Sequence, residues 1–115
     1  MNDAHARELL ARERARVEHA LGVLGRGEAE SDDVPDPMEA AEVGQDMFDR
    51  ELGEAQTERL RTELEAIERA EERLVEGTYG LSVESGEPIP DARLEAIPWA
   101  ERTAAEQATY EATGG

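Results

Sequence analysis

The run Glu76-Gly77-Thr78-Tyr79-Gly80-Leu81-Ser82-Val83-Glu84-Ser85-Gly86-Glu87-Pro88-Ile89-Pro90 divides the chain into two textures. Upstream of it, Met38 to Glu76 is rich in Glu, Ala, Arg and Leu and holds no proline. That composition predicts one long helix. Its apolar positions Ala41, Phe48, Leu52, Ala55, Leu60, Leu64, Ile67 and Leu74 stay near one face. Gly77 is placed to end it. Downstream, Thr78 to Val83 reads as a short strand, Glu84 to Glu87 as its turn, and Pro88-Ile89-Pro90 as the returning segment. Asp91 is placed to cap a brief helical turn at 92–96, which Pro98 stops, and residues 100–111 read as a last helix.

Toward the N-terminus, residues 3–24 read as another helix, with Asp3 near its start. Leu10, Val17, Leu21 and Leu24 form a heptad-like seam in which Arg14 fills one slot. Gly25 and Gly27 are natural stop signals. Residues 25–37 carry loop chemistry, and Asp36-Pro37 suits the start of the second helix. Two long amphipathic helices with a connection of this length are most economically paired as an antiparallel hairpin with its tip at 28–42.

Composition narrows the function. The 115 residues carry 29 acids against 12 basic residues, every one of them arginine, for a net charge of -17. Of this, -11 falls in residues 28–58, so the charge is local rather than a uniformly solvated surface. An acidic chain is a poor match for a phosphate backbone or an anionic membrane. With no apolar run near the length of a membrane span and no signal-like N-terminus, the expected location is the cytoplasm. The absence of cysteine excludes a disulfide framework and a thiol nucleophile. No catalytic triad, phosphate loop or metal-ligand cluster stands out, so the chain reads as a non-enzyme.

The motifs Glu76-Gly77-Thr78-Tyr79-Gly80, Gly86-Glu87-Pro88-Ile89-Pro90 and Arg93-Leu94-Glu95-Ala96-Ile97-Pro98-Trp99-Ala100 occur in an order and spacing that resembles the DksA/TraR family of bacterial transcription regulators. Phe48-Asp49-Arg50-Glu51 is similar to a recurrent patch on that family's second helix. The resemblance implies a mainly α fold: a long coiled-coil hairpin (1–77) with an acidic tip at 28–42, then a small zinc-finger-like module (78–115) with a short β-hairpin and a terminal helix. It also implies a monomer that binds RNA polymerase, not DNA, by inserting the tip into the secondary channel. Acidic tip residues in a D-x-x-D-x-A pattern act there. Asp36-Pro37-Met38-Glu39-Ala40-Ala41 reads D-x-x-E-x-A, and a shifted register would put Glu42 in the second slot. The implied partner-binding residues are therefore Asp36, Glu39, Ala41 and Glu42. Acids at a helix start also have a plain structural use, opposing the helix dipole by about 0.3–1 kcal/mol each.

The departure from the family lies in the metal site. The family's two C-x-x-C pairs fall here on Ser82 and Ser85 and on Thr103 and Glu106. Tetrahedral zinc is held by thiolates and imidazoles, so the expectation is a zinc-finger fold without zinc and with no cofactor. Tyr79, Leu81, Ile89, Leu94, Ile97 and Trp99 are the candidates for an apolar replacement core. The lost ligands also leave room for a second reading, a helical-hairpin scaffold or adaptor that kept the fold and lost polymerase binding.

Overall fold

The computed structural model describes residues 1–30 and 43–114, without the side chains of 26–30 and 43–48. Four helices follow in chain order: α1 (Asp3–Glu30), α2 (Val43–Glu76), α3 (Asp91–Ala96) and α4 (Ala104–Ala112). The fold is mainly α. Thr78 to Pro90 does not form the expected two-stranded ribbon; one isolated antiparallel bridge joins Leu81 to Pro88. A proline offers no N–H to continue a ladder, and Pro88 and Pro90 flank Ile89, whose N–H bonds the Gly80 carbonyl at 2.7 Å.

The helix ends follow local chemistry. Asn2, rather than Asp3, caps α1: its Oδ1 accepts from the His5 N–H at 2.8 Å. α1 continues past Gly25 and Gly27 to Glu30, so the expected stop near 24 does not occur. A helical glycine costs only about 1 kcal/mol, and Arg26, Glu28, Ala29 and Glu30 around the second one are acceptable helix formers. α2 ends as expected at Gly77, whose φ of 82° is open to glycine. Thr78 N–H bonds the Arg73 carbonyl and Gly77 N–H the Leu74 carbonyl, the two bonds of a Schellman motif.

Two compact units result: Met1–Arg14 together with Glu65–Gly115, and Ala15–Leu64. In the first, α1 and α2 run antiparallel. Arg7, Leu10 and Ala11 share a groove with Glu71, Leu74 and Val75, and one turn on, Arg14 Nε donates to Glu71 at 3.2 Å. Ala6, Leu9, Leu10, Ala66, Ile67 and Ala70 are the buried side chains of α1 and α2 there. In the second unit, Val17 and Thr57 are buried and Arg16 pairs with Glu63 at 3.2 Å.

The α1 seam is the one its sequence announces, with Leu10 and Val17 buried and Leu21 and Leu24 half-buried. The α2 seam is shifted in its first half. Leu52 (50% exposed) and Ala55 face solvent, whereas Gly53, Thr57, Leu60, Leu64, Ile67, Glu71 and Leu74 lie at alternating steps of four and three and are buried or half-buried. Thr57 enters that seam by turning its hydroxyl onto the Gly53 carbonyl at 2.8 Å, which satisfies the buried oxygen. Ala41 and the Phe48 side chain lie outside the described residues.

Candidate functional site

The segment between α2 and α3 is a tight knuckle. Beyond the Gly77 cap, Gly80 (φ 85°) and Gly86 (φ 75°) supply two further left-handed positions. Ser82 N–H donates to the Glu87 carbonyl at 2.8 Å, and Gly86 N–H to the Ser82 carbonyl at 2.9 Å. Inside this loop the Ser82 side chain is only 4% exposed, and its Oγ accepts from the N–H groups of Glu84 (3.1 Å) and Ser85 (3.3 Å). Ser85 Oγ in turn accepts from Glu87 N–H at 3.3 Å.

α4 starts beside the knuckle. Thr103 and Glu106 form a reciprocal capping box: Glu106 N–H donates to Thr103 Oγ1 at 3.2 Å, and Thr103 N–H to Glu106 Oε1 at 2.9 Å. The Glu106 carboxylate also lies in the field of the Ser82 and Ser85 hydroxyls. The Thr103 backbone bond first, then the two serines, hold its pKa down at about 2. The four positions singled out in the sequence fall in two neighbouring elements, Ser82 and Ser85 in the knuckle and Thr103 and Glu106 at the start of α4.

A second polar centre anchors the module to α2. Glu101 pairs with Arg69 at 2.7 Å and with Arg73 at 3.7 Å. Burial works to raise the Glu101 pKa, but the hydrogen bond and charge of Arg69, with Arg73 and Arg102 behind it, outweigh that and hold it below its ordinary range. Burial lowers the pKa of Arg73, and its Nε and Nη2 are buried without a hydrogen-bond partner. The Tyr79 hydroxyl donates to the Pro98 carbonyl at 2.8 Å, and burial pushes its pKa up to about 12. Arg102 spans the surface of the module, bonding Glu84 at 2.8 Å and stacking 3.8 Å from the Tyr110 ring centroid.

The apolar part is small. Ile89, Leu94 and Ala100 are its buried core, with Met1, Tyr79 and Ile97 packed against it. Leu81, expected there, is 39% exposed, and Trp99 is half-buried. Asp91 does not cap α3, which has no side-chain cap; its carboxylate meets the Met1 ammonium at 3.0 Å. His5, near the start of α1, bonds Glu95 at 2.6 Å. Asp36, Glu39, Ala41 and Glu42 lie outside the described residues. Sequence reasoning missed Glu101 as a partner of Arg69, 32 positions away, because no local spacing announces such a pair. The Thr103-x-x-Glu106 pattern does announce a capping box.

Residues 77–112 match the prokaryotic dksA/traR C4-type zinc finger family. The chain is 38% identical over 71 residues to general stress protein 16O of Bacillus subtilis, covering 62% of this chain and 44% of that protein. It is 34% identical over 82 residues to an uncharacterized protein of Aquifex aeolicus, covering 65% of this chain and 57% of that one. The chain thus spans about half the length of these curated relatives. Transcription factor DksA2 from Pseudomonas aeruginosa has a similar solved structure, with a TM-score of 0.82, 26% identity, and coverage of 97% of this chain and 84% of that one.

A C4-type finger implies zinc, and the residues present do not fit it. Two of the four donors are serine hydroxyls and a third is a threonine hydroxyl already engaged in the capping box. Ser82 Oγ is taken by two backbone N–H groups. Neutral hydroxyls do not replace thiolates around zinc. Among the described residues, no group of three or more His, Cys, Asp or Glu side chains is placed to hold a metal ion.

Proposed function

We propose that this chain, which belongs to the DksA/TraR family and carries Ser82, Ser85, Thr103 and Glu106 where the zinc ligands stand, regulates transcription by binding RNA polymerase through its secondary channel. The observation that carries the reading is the likeness to a transcription factor over 97% of the chain, together with the family module at 77–112. The partner is a protein surface rather than DNA, which agrees with the net charge of -17. No described helix is long and apolar enough to cross a membrane. The proposed regulator works in the cytoplasm, as a monomer on the enzyme.

The mechanism is steric and electrostatic. The helical hairpin fills the channel, and Asp36 and Glu39 bring negative charge toward the catalytic magnesium or the mobile elements around it. Glu42 takes the second acidic position if the register shifts by one turn. Over a few ångströms, less than the Debye length of about 8–10 Å, such charge is little screened by salt.

The test pairs co-purification on core polymerase with a transcription assay of Asp36→Asn, Glu39→Gln and Glu42→Gln. The expected result is retained binding with a weakened effect on initiation. A chain that fails to bind the core enzyme, or whose effect ignores all three substitutions, refutes the proposal.

A further inference from the structure

We infer that the two-residue segment Glu101-Arg102 is an ionic strap that holds the C-terminal module closed. The cross-linking task that a metal has in a four-ligand finger has moved to the two residues just ahead of Thr103. The need for a strap is visible in α4. This helix has nine residues, well short of the length at which an isolated helix is stable in water, and it buries none of its side chains. The apolar cluster of Ile89, Leu94 and Ala100, with Met1, Tyr79 and Ile97 around it, draws on no residue of α4.

Glu101 and Arg102 lie in the link between α3 and α4 and touch four elements in turn. The Glu101 carboxylate accepts from Arg69 of α2 at 2.7 and 3.2 Å and faces Arg73 at 3.7 Å. Its carbonyl accepts from Val83 N–H in the knuckle at 2.9 Å. The Arg102 carbonyl accepts from Arg93 Nε of α3 at 2.8 Å. The Arg102 guanidinium donates to Glu84 of the knuckle at 2.8 Å and covers the Tyr110 ring of α4 at 3.8 Å. In each residue the side chain and the backbone engage different elements. Short bonds thus radiate from one point of the chain, as they do from a bound ion.

The chemistry suits that task. The Glu101 and Arg102 side chains are 19% and 17% exposed, so their bonds are screened less than those of an open pair such as Arg12 with Glu8. Charge-assisted bonds are about twice as strong as neutral ones and need no buried area, which short elements cannot supply. A planar guanidinium serves two partners at once, its edge on a carboxylate and its face on a ring.

The rival reading is that the Ile89, Leu94 and Ala100 core closes the module and the strap contacts are incidental surface pairs. Amide hydrogen exchange in the full-length chain, with a metal chelator present, separates the two without any partner protein. Arg102→Met keeps the aliphatic stem and removes the charge, and Arg102→Lys restores a charge on a similar stem. Exchange at Val83 in the knuckle and Gln107 in α4 should quicken about tenfold in Arg102→Met and recover most of that protection in Arg102→Lys. Leu10 in α1 should be unchanged in both, and Arg12→Met should leave all three amides at the parent rate. Unchanged protection of Val83 and Gln107 in Arg102→Met, or equal loss in the Met and Lys variants, overturns the inference. Glu84→Ala breaks the same bond from an exposed position in the knuckle. A strap carries that loss across the junction, so Gln107 should exchange several-fold faster; a change confined to the knuckle contradicts it.

Discussion

The paired helices and the C-terminal module solve the same problem with opposite chemistry. In α1 and α2 the contact repeats every seven residues and is mainly apolar, with Leu10, Val17 and Ile67 fully buried. Ionic pairs accompany it: Arg14 with Glu71 occupies a seam position on each helix and is only half-buried, and Arg16 meets Glu63. In the module the apolar core reduces to Ile89, Leu94 and Ala100, and directed polar bonds take over: Glu101 joins Arg69 of α2, and Thr103 and Glu106 cap α4 reciprocally. Long elements can bury a continuous stripe; short ones cannot, and depend on directed bonds whose energy does not require area.

The comparison can be broken at its apolar end first. Ile67→Ala should cost about 3 kcal/mol in chemical unfolding, since it empties a fully buried position between long helices that cannot collapse into it. A loss under about 1 kcal/mol would show that the seam is not what holds the helices together.

The ionic pair is the next step down. Glu71→Ala leaves Arg14 with the longer Glu68 contact at 3.8 Å, and about 1 kcal/mol should be lost. Replacing both partners, Arg14→Met with Glu71→Leu, should restore or exceed the parent stability, as apolar replacements of partly buried pairs often do. If the double replacement is worse than Glu71→Ala alone, the pair is fixing the helix register rather than filling a slot.

Acid sharpens the contrast without mutation. Glu106 has its pKa held at about 2 against an ordinary 4.5, and Glu101 is also held low. A depressed carboxylate contributes stability that is complete above its unfolded value and is lost as pH falls toward its folded one. The thermal midpoint should therefore be flat above pH 4.5 as far as these two groups are concerned and decline between 4.5 and 2. Glu106→Gln should flatten that decline. An unaltered acid limb in the variant would remove Glu106 from the account.

The smallest expected effect is a gain. Gly53 lies in α2 with nothing within 4 Å of an added Cβ, so Gly53→Ala should stabilise by about 0.5–1 kcal/mol through helix propensity alone. No gain would mean that the helix needs its glycine at that point of the seam.

These differences also explain what could be read from the amino-acid sequence. The helices were legible because Leu10, Val17, Leu21 and Leu24 repeat at helical spacing, and the module because its Gly and Pro motifs keep a family order. The phase of α2 was misread where residue type and position disagree: Leu52 is apolar but off the seam, while Thr57 is polar and on it. The end of α1 was misread because glycine weakens a helix without forbidding it. The four former ligand positions were legible as a substituted set, but the replacement was sought among apolar residues. The Ser82 turn and the Thr103–Glu106 capping box that occupy these positions leave no hydrophobic period. The partner-binding reading of Asp36, Glu39, Ala41 and Glu42 rests on the motif alone.

The most direct measurement is binding of the full-length chain to core RNA polymerase, followed by fluorescence anisotropy with a metal chelator present throughout. Saturable one-to-one binding that the chelator does not weaken is the predicted result. No binding, or binding that appears only when zinc is supplied, would contradict the account.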